Sequence, residues 1–393
     1  MNYDKYIAKV VAEIPPSGIR KFFDIASEME DVISLGVGEP DFTTPWNICE
    51  NAIYAIETGK THYTSNHGTT ALRQEIAAYL NERNALQYDI NQIIVTVGAS
   101  EALDIAFRAV INPGDEVLVP APSYVSYMPG VKLAGGVAVP VLTVAANAFK
   151  YTADVLKSVI TPKTKALIMP FPNNPTGGIM TKEELAGIVD VIIENDLLVI
   201  SDEIYSELTY DGKHVSIATL PGMKERTIVI NGFSKAFAMT GWRLGYVAAP
   251  LPLTKAMLKI HQYTILCAPS AAQEAGLEAL KTERKNGYKQ VREMVQQYDH
   301  RRRYLFEAFN ALGLRCFEPK GAFYMFPDIR LSGLSSDEFC ERLVKEKRVA
   351  CVPGTAFGEG GEGFMRCSYA SSMENLKEAI KRITEFLKEN GWL

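Results

Sequence analysis

Seven short runs of apolar, often β-branched residues recur between residues 93 and 248: 93–97, 116–119, 137–141, 166–169, 197–200, 227–230 and 244–248. Helical periodicity fills most of the gaps, for example at 100–110, 182–194 and 254–263. Strands that alternate with helices pair side by side in a mainly parallel sheet, because each helix carries the chain back across a sheet face. Such a sheet collects its ligands at the carboxyl ends of its strands. The residues just after each run are therefore the ones to read for chemistry.

The flanks have a different rhythm. Pro15-Pro16-Ser17-Gly18 interrupts any helix, and 36–40 is a turn-rich loop. A helical period starts at Pro45, runs through Ile48, Ala52 and Ile56, and stops at Gly59; a second covers 70–84 with Leu72, Ile76, Ala77 and Leu80 on one face. After Pro269 helices are expected at 270–280 and 288–312. A smaller α+β region follows, with strands near 314–317, 322–326, 349–352 and 364–368 and helices near 336–347 and 373–389. The expected organisation is an arm over 1–45 packing with the small domain, a large α/β domain over 46–284, and a small C-terminal domain over 285–393.

Bulk properties remove several classes. The 393 residues are 47% apolar and 22% charged, values of a soluble globular chain, and the net charge of −5 speaks against a nucleic-acid binder. No apolar stretch approaches membrane-spanning length, and Met1-Asn-Tyr-Asp-Lys5 carries no apolar signal region, so a cytoplasmic location is expected. Six scattered cysteines, with no paired spacing, fit a reducing compartment and are expected to be mostly buried.

Four of the strand ends carry residues of interest. Gly98-Ala99-Ser100-Glu101 offers free N–H groups and a hydroxyl at a helix start, a phosphate cradle or simply an N-cap. Tyr124 follows the second run and could stack on a planar ring or lie in the core. Asn174, in Asn173-Asn-Pro-Thr-Gly177, sits in a turn with an amide free to reach across the strand ends. Asp202 emerges from a buried run with Tyr205 behind it, and a buried carboxylate needs a partner. At a fifth end, Asn231-Gly-Phe-Ser-Lys-Ala-Phe-Ala-Met-Thr-Gly-Trp-Arg-Leu-Gly-Tyr246 sets Lys235 among small and apolar residues, with Arg243 eight positions on. A lysine in such surroundings loses its proton more readily and can form imines. A phosphate cradle, a stacking ring, an amide, an acid and an amine at the ends of one sheet describe a planar, phosphorylated, carbonyl-bearing cofactor with a basic ring nitrogen, which is pyridoxal phosphate.

With these residues in view, the chain resembles the class I/II aminotransferases of the fold-type I pyridoxal-phosphate enzymes, nearest the bacterial and archaeal aspartate or aromatic subgroup. The match runs over Gly38-Glu-Pro-Asp41, the tyrosine of His62-Tyr-Thr64, Asn174-Pro-Thr-Gly177, Ser201-Asp-Glu-Ile-Tyr205, the stretch from Gly232 to Gly245, and Phe364-Met-Arg-Cys-Ser-Tyr369. The resemblance implies that Lys235 holds the cofactor as an imine and later shuttles the proton, and that Asp202 pairs with the pyridinium nitrogen. Tyr205 and Asn174 would bond the ring hydroxyl, and Tyr124 would stack on the ring. Ala99, Ser100, Ser234 and Arg243 would hold the phosphate. Arg366 would grip the substrate α-carboxylate with help from the Gly38 backbone and Asn174. Tyr63 would reach the phosphate of a neighbouring subunit's site, implying a homodimer. The substrates implied are an L-amino acid and a 2-oxo acid, 2-oxoglutarate by family habit.

Two positions depart from many relatives: Gly232 stands where a phosphate-binding serine is common, and Tyr124 where aspartate-specific members carry tryptophan. A carbon–sulfur β-lyase of the same fold is the nearest rival. A non-catalytic regulator is the other, and such proteins carry an added DNA-binding domain. Residues 14–20, the loop 63–67 and the partner subunit are expected to read the substrate side chain. Other signals are set aside. Gly59-Lys-Thr61 lacks the earlier glycine of a phosphate-binding loop, proline blocks glycosylation at Asn174, and the five histidines show no metal spacing, so no metal is expected. The run Arg301-Arg-Arg303 is expected to be a solvated helix face.

Overall fold

The computed structural model describes residues 1, 3–16, 18–19 and 29–393. Its strands, in chain order, begin with β1 (Ile33–Ser34), β2 (Ile93–Thr96), β3 (Glu116–Ala121), β4 (Val137–Leu142), β5 (Thr164–Met169), β6 (Leu198–Asp202), β7 (Thr227–Gly232) and β8 (Gly245–Ala248). The last seven form one sheet in the order β2-β8-β7-β6-β5-β3-β4. Strand β8 runs antiparallel to both its neighbours and every other pairing is parallel. The sheet is thus α/β and mainly parallel, as its spacing predicted. Strands β2 and β7 are buried along their whole length, which is why their sequences read as unbroken apolar runs rather than alternating ones.

Helices cover both faces. Gly98–Val110 and Leu251–Thr264 bury Ile105, Phe107 and Met257 against Val117, Ile168 and Ile230. Lys182–Glu194 packs Leu185, Ile188 and Ile192 onto Leu118, Leu167 and Val199. Its start is specified locally: the Thr181 hydroxyl accepts the Glu184 N–H while the Glu184 carboxylate accepts the Thr181 N–H.

The remaining strands are β9 (Tyr324–Met325), β10 (Val349–Ala350), β11 (Val352–Pro353) and β12 (Met365–Ser368). A three-stranded antiparallel sheet, β11-β12-β9, packs with Lys289–Ala311, Ser336–Lys347 and Met373–Glu389 around Tyr298, Phe309, Phe323, Met365 and Ile383. The N-terminal strand joins this region, since β1 pairs in parallel with β10. Tyr205 and Leu208, which follow β6, are part of the same apolar cluster.

Two expectations fail here. Residues 314–317 form no strand: the Cys316 N–H goes to the Asn310 side-chain oxygen at 3.2 Å and only the Arg315 carbonyl accepts across, from Asp328. A side chain at the end of the preceding helix has taken the donor a ladder would use. The arginine run is not a solvated face. Arg302 is 1% exposed, between Asp299, Glu318 and the Pro319 carbonyl, and Arg301 is buried against the Phe42 and Tyr298 rings with its guanidinium on Asp41; only Arg303 faces solvent. Helical periodicity locates the long helix but cannot see acidic partners supplied by other segments. Of the cysteines, Cys340, Cys351 and Cys367 are buried and Cys49, Cys267 and Cys316 are half-buried. Among the described residues no helix is long and apolar enough to cross a membrane.

Candidate active site

One cavity of about 790 Å³ opens at the carboxyl ends of β2, β3, β5, β6 and β7. It is lined by Gly38, Ala99, Ser100, Tyr124, Asn174, Asp202, Tyr205, Ser234, Lys235, Arg243 and Arg366. Of the residues expected to hold the cofactor or the substrate α-carboxylate, only Tyr63 is not in its wall, its side chain being 85% exposed; of the loop 63–67, none lines it.

At one end, the turn from β2 into Gly98–Val110 is held by Glu101, whose carboxylate accepts the Val97 N–H. Gly98 has φ +75°, and a β-carbon there would lie 2.5 Å from an Arg243 guanidinium nitrogen. A β-carbon on Gly245 would lie 2.6 Å from the Ala99 nitrogen. Two glycines therefore let the helix start and Arg243 close on one another. The product is a shallow cup of N–H groups, a hydroxyl and a guanidinium, open to solvent where Ser100 and Arg243 are exposed. Gly232 also has a packing reason: a β-carbon would sit 3.0 Å from both the Leu244 carbonyl oxygen and the Gly245 α-carbon. The neighbouring Ser234 hydroxyl lines the cavity instead.

In the middle stand the acid and the amine. Asp202 ends β6 and is buried; its Oδ2 accepts the Tyr127 hydroxyl at 2.8 Å and its Oδ1 the Ile204 N–H at 3.2 Å. Burial pushes its carboxyl up to about 6 against these two hydrogen bonds, which pull the other way. The Lys235 Nζ donates to the Gly38 carbonyl at 2.6 Å and lies 5.7 Å from the Tyr205 ring centre. Burial lowers that amine to about 8, with Glu39 opposing the shift and Arg366 and Arg243 reinforcing it. At neutral pH about a tenth of such an amine is uncharged, far more than of an ordinary lysine.

At the far end, Arg366 on β12 is 2% exposed. Its guanidinium donates to the Asn174 side-chain oxygen at 2.9 Å and to the Gly36 carbonyl, and stacks 4.5 Å from the Tyr324 ring centre. Among the described residues no carboxylate pairs with it and its Nε has no partner. A buried, uncompensated cation beside a cavity is a receptor for a carboxylate.

Sequence reasoning passed over two side chains. Tyr127 lies beneath Asp202 and edge-on to the Tyr124 ring, 5.6 Å between centres. Tyr324 shares a 2.8 Å hydrogen bond between its hydroxyl and that of Tyr205, and its hydroxyl lies 2.7 Å from where a Gly38 β-carbon would be. Tyr127 stood in the Pro122–Tyr127 stretch as the only other aromatic, and Tyr324 inside an expected strand; neither carried a signal beyond being a tyrosine near a strand end. Of residues 14–20, Ile19 lines the cavity, while Ser17 and Arg20 lie outside the described residues.

An acid, a readily deprotonated amine, an anion cup and a waiting guanidinium around one cavity at the strand ends are the working parts of a fold-type I enzyme that operates on amino acids through a carbonyl cofactor. The family described as aminotransferase class I and II matches residues 30–383. A putative aminotransferase, YugH, of Bacillus subtilis is 54% identical over 383 residues, 97% of this chain and 98% of that one. An aspartate aminotransferase of Pyrococcus abyssi is 50% identical, over 96% of this chain and 97% of its own length. The crystal structure of an aromatic aminotransferase from Pyrococcus horikoshii superposes with a TM-score of 0.90 at 47% identity, covering 95% of this chain and all of that one. The chain belongs to the class I and II aminotransferases.

Enzymes of this family use pyridoxal phosphate. The residues present fit that group. The glycine-lined cup suits a phosphate, Asp202 is a buried acid with no cationic hydrogen-bond partner, and the Lys235 amine faces the space between them.

Proposed function

We propose that this enzyme moves the amino group of an L-amino acid to a 2-oxo acid, 2-oxoglutarate in the first instance, in two half-reactions at the one cavity. The observation that carries the reading is the convergence on one cavity wall of a buried acid, Asp202, the Lys235 amine and the buried Arg366 guanidinium, with the acid shifted up and the amine shifted down by burial. Two titratable groups pushed toward neutrality from opposite sides are suited to holding and moving protons.

Bound pyridoxal phosphate supplies an aldehyde carbon and a ring that accepts electrons. The chain's own groups supply the rest. Asp202 as a carboxylate would hold a proton on the ring nitrogen, the Tyr205 hydroxyl and the Asn174 amide would bond the ring hydroxyl, and Tyr124 would stack on the ring. The Ala99 and Ser100 amides, the Ser100 and Ser234 hydroxyls and Arg243 would take the phosphate. The Lys235 Nζ would hold the cofactor and, once freed, would carry the proton. Arg366 takes the α-carboxylate as a forked pair, with the Gly38 backbone and Asn174 beside it, so that the bond to be broken is aimed before any proton moves.

The cup's open side supports a homodimer in which Tyr63 of one chain completes the cup of another. The exposed apolar residues Trp46, Tyr54, Ile56 and Tyr263 support the same assembly. Light scattering that returned a single chain's mass would remove it.

Lys235→Ala tests the central assignment. Turnover should fall below detection and the visible absorbance of the bound cofactor should vanish. An active variant that kept that absorbance would sink the reading. Release of pyruvate and ammonia from cystathionine without any oxo acid would instead make the chain a lyase.

A further inference from the structure

We propose that Tyr127 is a positioning residue for the cofactor, a single side chain that aims the acid Asp202 and braces the stacking ring of Tyr124. The proposal rests on the reading that pyridoxal phosphate occupies this cavity.

Tyr127 opens the short helix Tyr127–Leu133, which follows β3. Its N–H donates to the Tyr124 carbonyl at 3.2 Å, so the two tyrosines belong to one tight turn. That turn sends the two rings different ways. Tyr124 is half-exposed in the cavity wall, while Tyr127 is 3% exposed. The buried ring meets the Tyr124 ring edge-on, 5.6 Å between centres with 78° between planes, a favourable arrangement for two π-systems. Its hydroxyl crosses to β6 and donates to the Asp202 Oδ2 at 2.8 Å.

The consequence for Asp202 is orientational and electrostatic together. A buried carboxylate has free rotation about its last bond unless both oxygens are tied. Here the Tyr127 hydroxyl ties one and the Ile204 N–H the other. A hydrogen bond donated to a carboxylate also favours its charged form, and only that form can hold a proton on a ring nitrogen. The other groups acting on this acid are Glu203, which disfavours its charge, and Lys235, which favours it; Tyr124 and Tyr151 face Tyr127 itself. Tyr127 is thus the only neutral side-chain donor among them on the acid, and its removal leaves burial less opposed.

Tyr127→Phe separates the two roles, because it keeps the ring beside Tyr124 and deletes the donor. Cofactor-free enzyme is titrated with pyridoxal phosphate across pH, following affinity by fluorescence or absorbance. Loss of a hydrogen bond to a charged group predicts affinity roughly ten- to a hundredfold weaker near neutral pH. The acid limb of binding should move to higher pH, since the carboxyl without its donor protonates more easily. Tyr127→Leu removes the brace as well and should weaken binding further. Should the Phe protein fail to fold, Tyr127→His keeps a ring and a donor and should bind more tightly than the Leu variant. A Phe variant with reduced thermal stability but wild-type affinity and acid limb would overturn the proposal, as would Phe, Leu and His variants that bind alike. Lys235→Ala distinguishes the two levels of failure. If that variant keeps the wild-type cofactor absorbance, the cofactor reading itself has failed; if it loses it while Tyr127→Phe binds normally, only the role of Tyr127 has.

Discussion

Two arginines are almost equally buried in this molecule and are treated in opposite ways. Arg302, in Lys289–Ala311, is 1% exposed and closed on all sides: Asp299 and Glu318 supply two carboxylates and Pro319 a carbonyl. Arg366, on β12, is 2% exposed and has, among the described residues, an amide oxygen, a backbone carbonyl and the faces of two aromatic rings, Tyr324 and Phe357. A buried cation without an anion is costly, and a chain keeps one where an incoming ligand provides the missing charge. Burial alone therefore says nothing about role. What distinguishes a structural arginine from a receptor is whether its charge is already answered.

The comparison can be broken experimentally. Lys235→Ala, with its complete loss of turnover, is the largest effect expected and sets the scale. Arg366→Ala comes next: removing a buried charged partner costs roughly 2–5 kcal/mol of ligand interaction, so kcat/KM should fall by about two to three orders of magnitude. KM should rise for every amino acid tried, acidic or neutral. An effect confined to acidic substrates would move Arg366 from the α-carboxylate to a side-chain carboxylate. Folding stability should change little, since no ion pair is lost.

Arg302→Ala should show the reverse pattern. It strips the common partner from Asp299 and Glu318, both partly in solvent, and opens a hole beside Tyr210; we expect a loss of about 2–4 kcal/mol in denaturant unfolding. Substrate KM should hardly move in whatever fraction folds. Arg303→Ala, one residue along and 65% exposed, is the control and should stay within about 0.5 kcal/mol. Equal losses at 302 and 303 would show that the closed cluster contributes nothing special.

The last expected change is a gain, confined to the cofactor-free enzyme. Asp202 is an acid whose folded-state carboxyl sits near 6 rather than 3.8, so the cofactor-free fold binds its proton more tightly than the unfolded chain does. Stability of the cofactor-free wild type should then decline relative to Asp202→Asn as pH rises from about 4 to about 6. Above that window the gap levels off, at up to about 3 kcal/mol. Paired thermal melts at pH 4 and pH 7.5 measure it. A gap that closed with rising pH would mean the carboxylate is already stabilised before the cofactor binds.

Much of this could be read in advance, for identifiable reasons. The β2 and β7 runs announced themselves because a strand buried on both faces must be largely apolar; the edge strand β4 is partly exposed. Lys182–Glu194 began and ended where its periodicity put it. The residues ending those strands converge on one cavity because parallel connections deliver them to the same edge. The failures have physical causes too. Residues 314–317 look like a strand, but Asn310 takes the donor that pairing required. Arg301 and Arg302 look like surface because their partners Asp41 and Glu318 come from other segments. Tyr127 and Tyr324 have no sequence mark at all; their meaning lies in the atoms their hydroxyls meet, Asp202 and Tyr205.

By itself, then, the sequence determined the alternation of strand and helix, the edge of the sheet where chemistry gathers, and the lysine, acid and arginines that gather there. Those properties are local: a buried strand, a capped helix start and a reactive residue just past it are written within a few positions of one another. Tertiary structure alone decided which arginine is closed and which is open, and which tyrosine holds the acid in place. Charge compensation and hydrogen bonding depend on partners brought together from distant parts of the chain, as Arg366 is to Asn174 and Tyr127 to Asp202. No local pattern encodes that choice of partner.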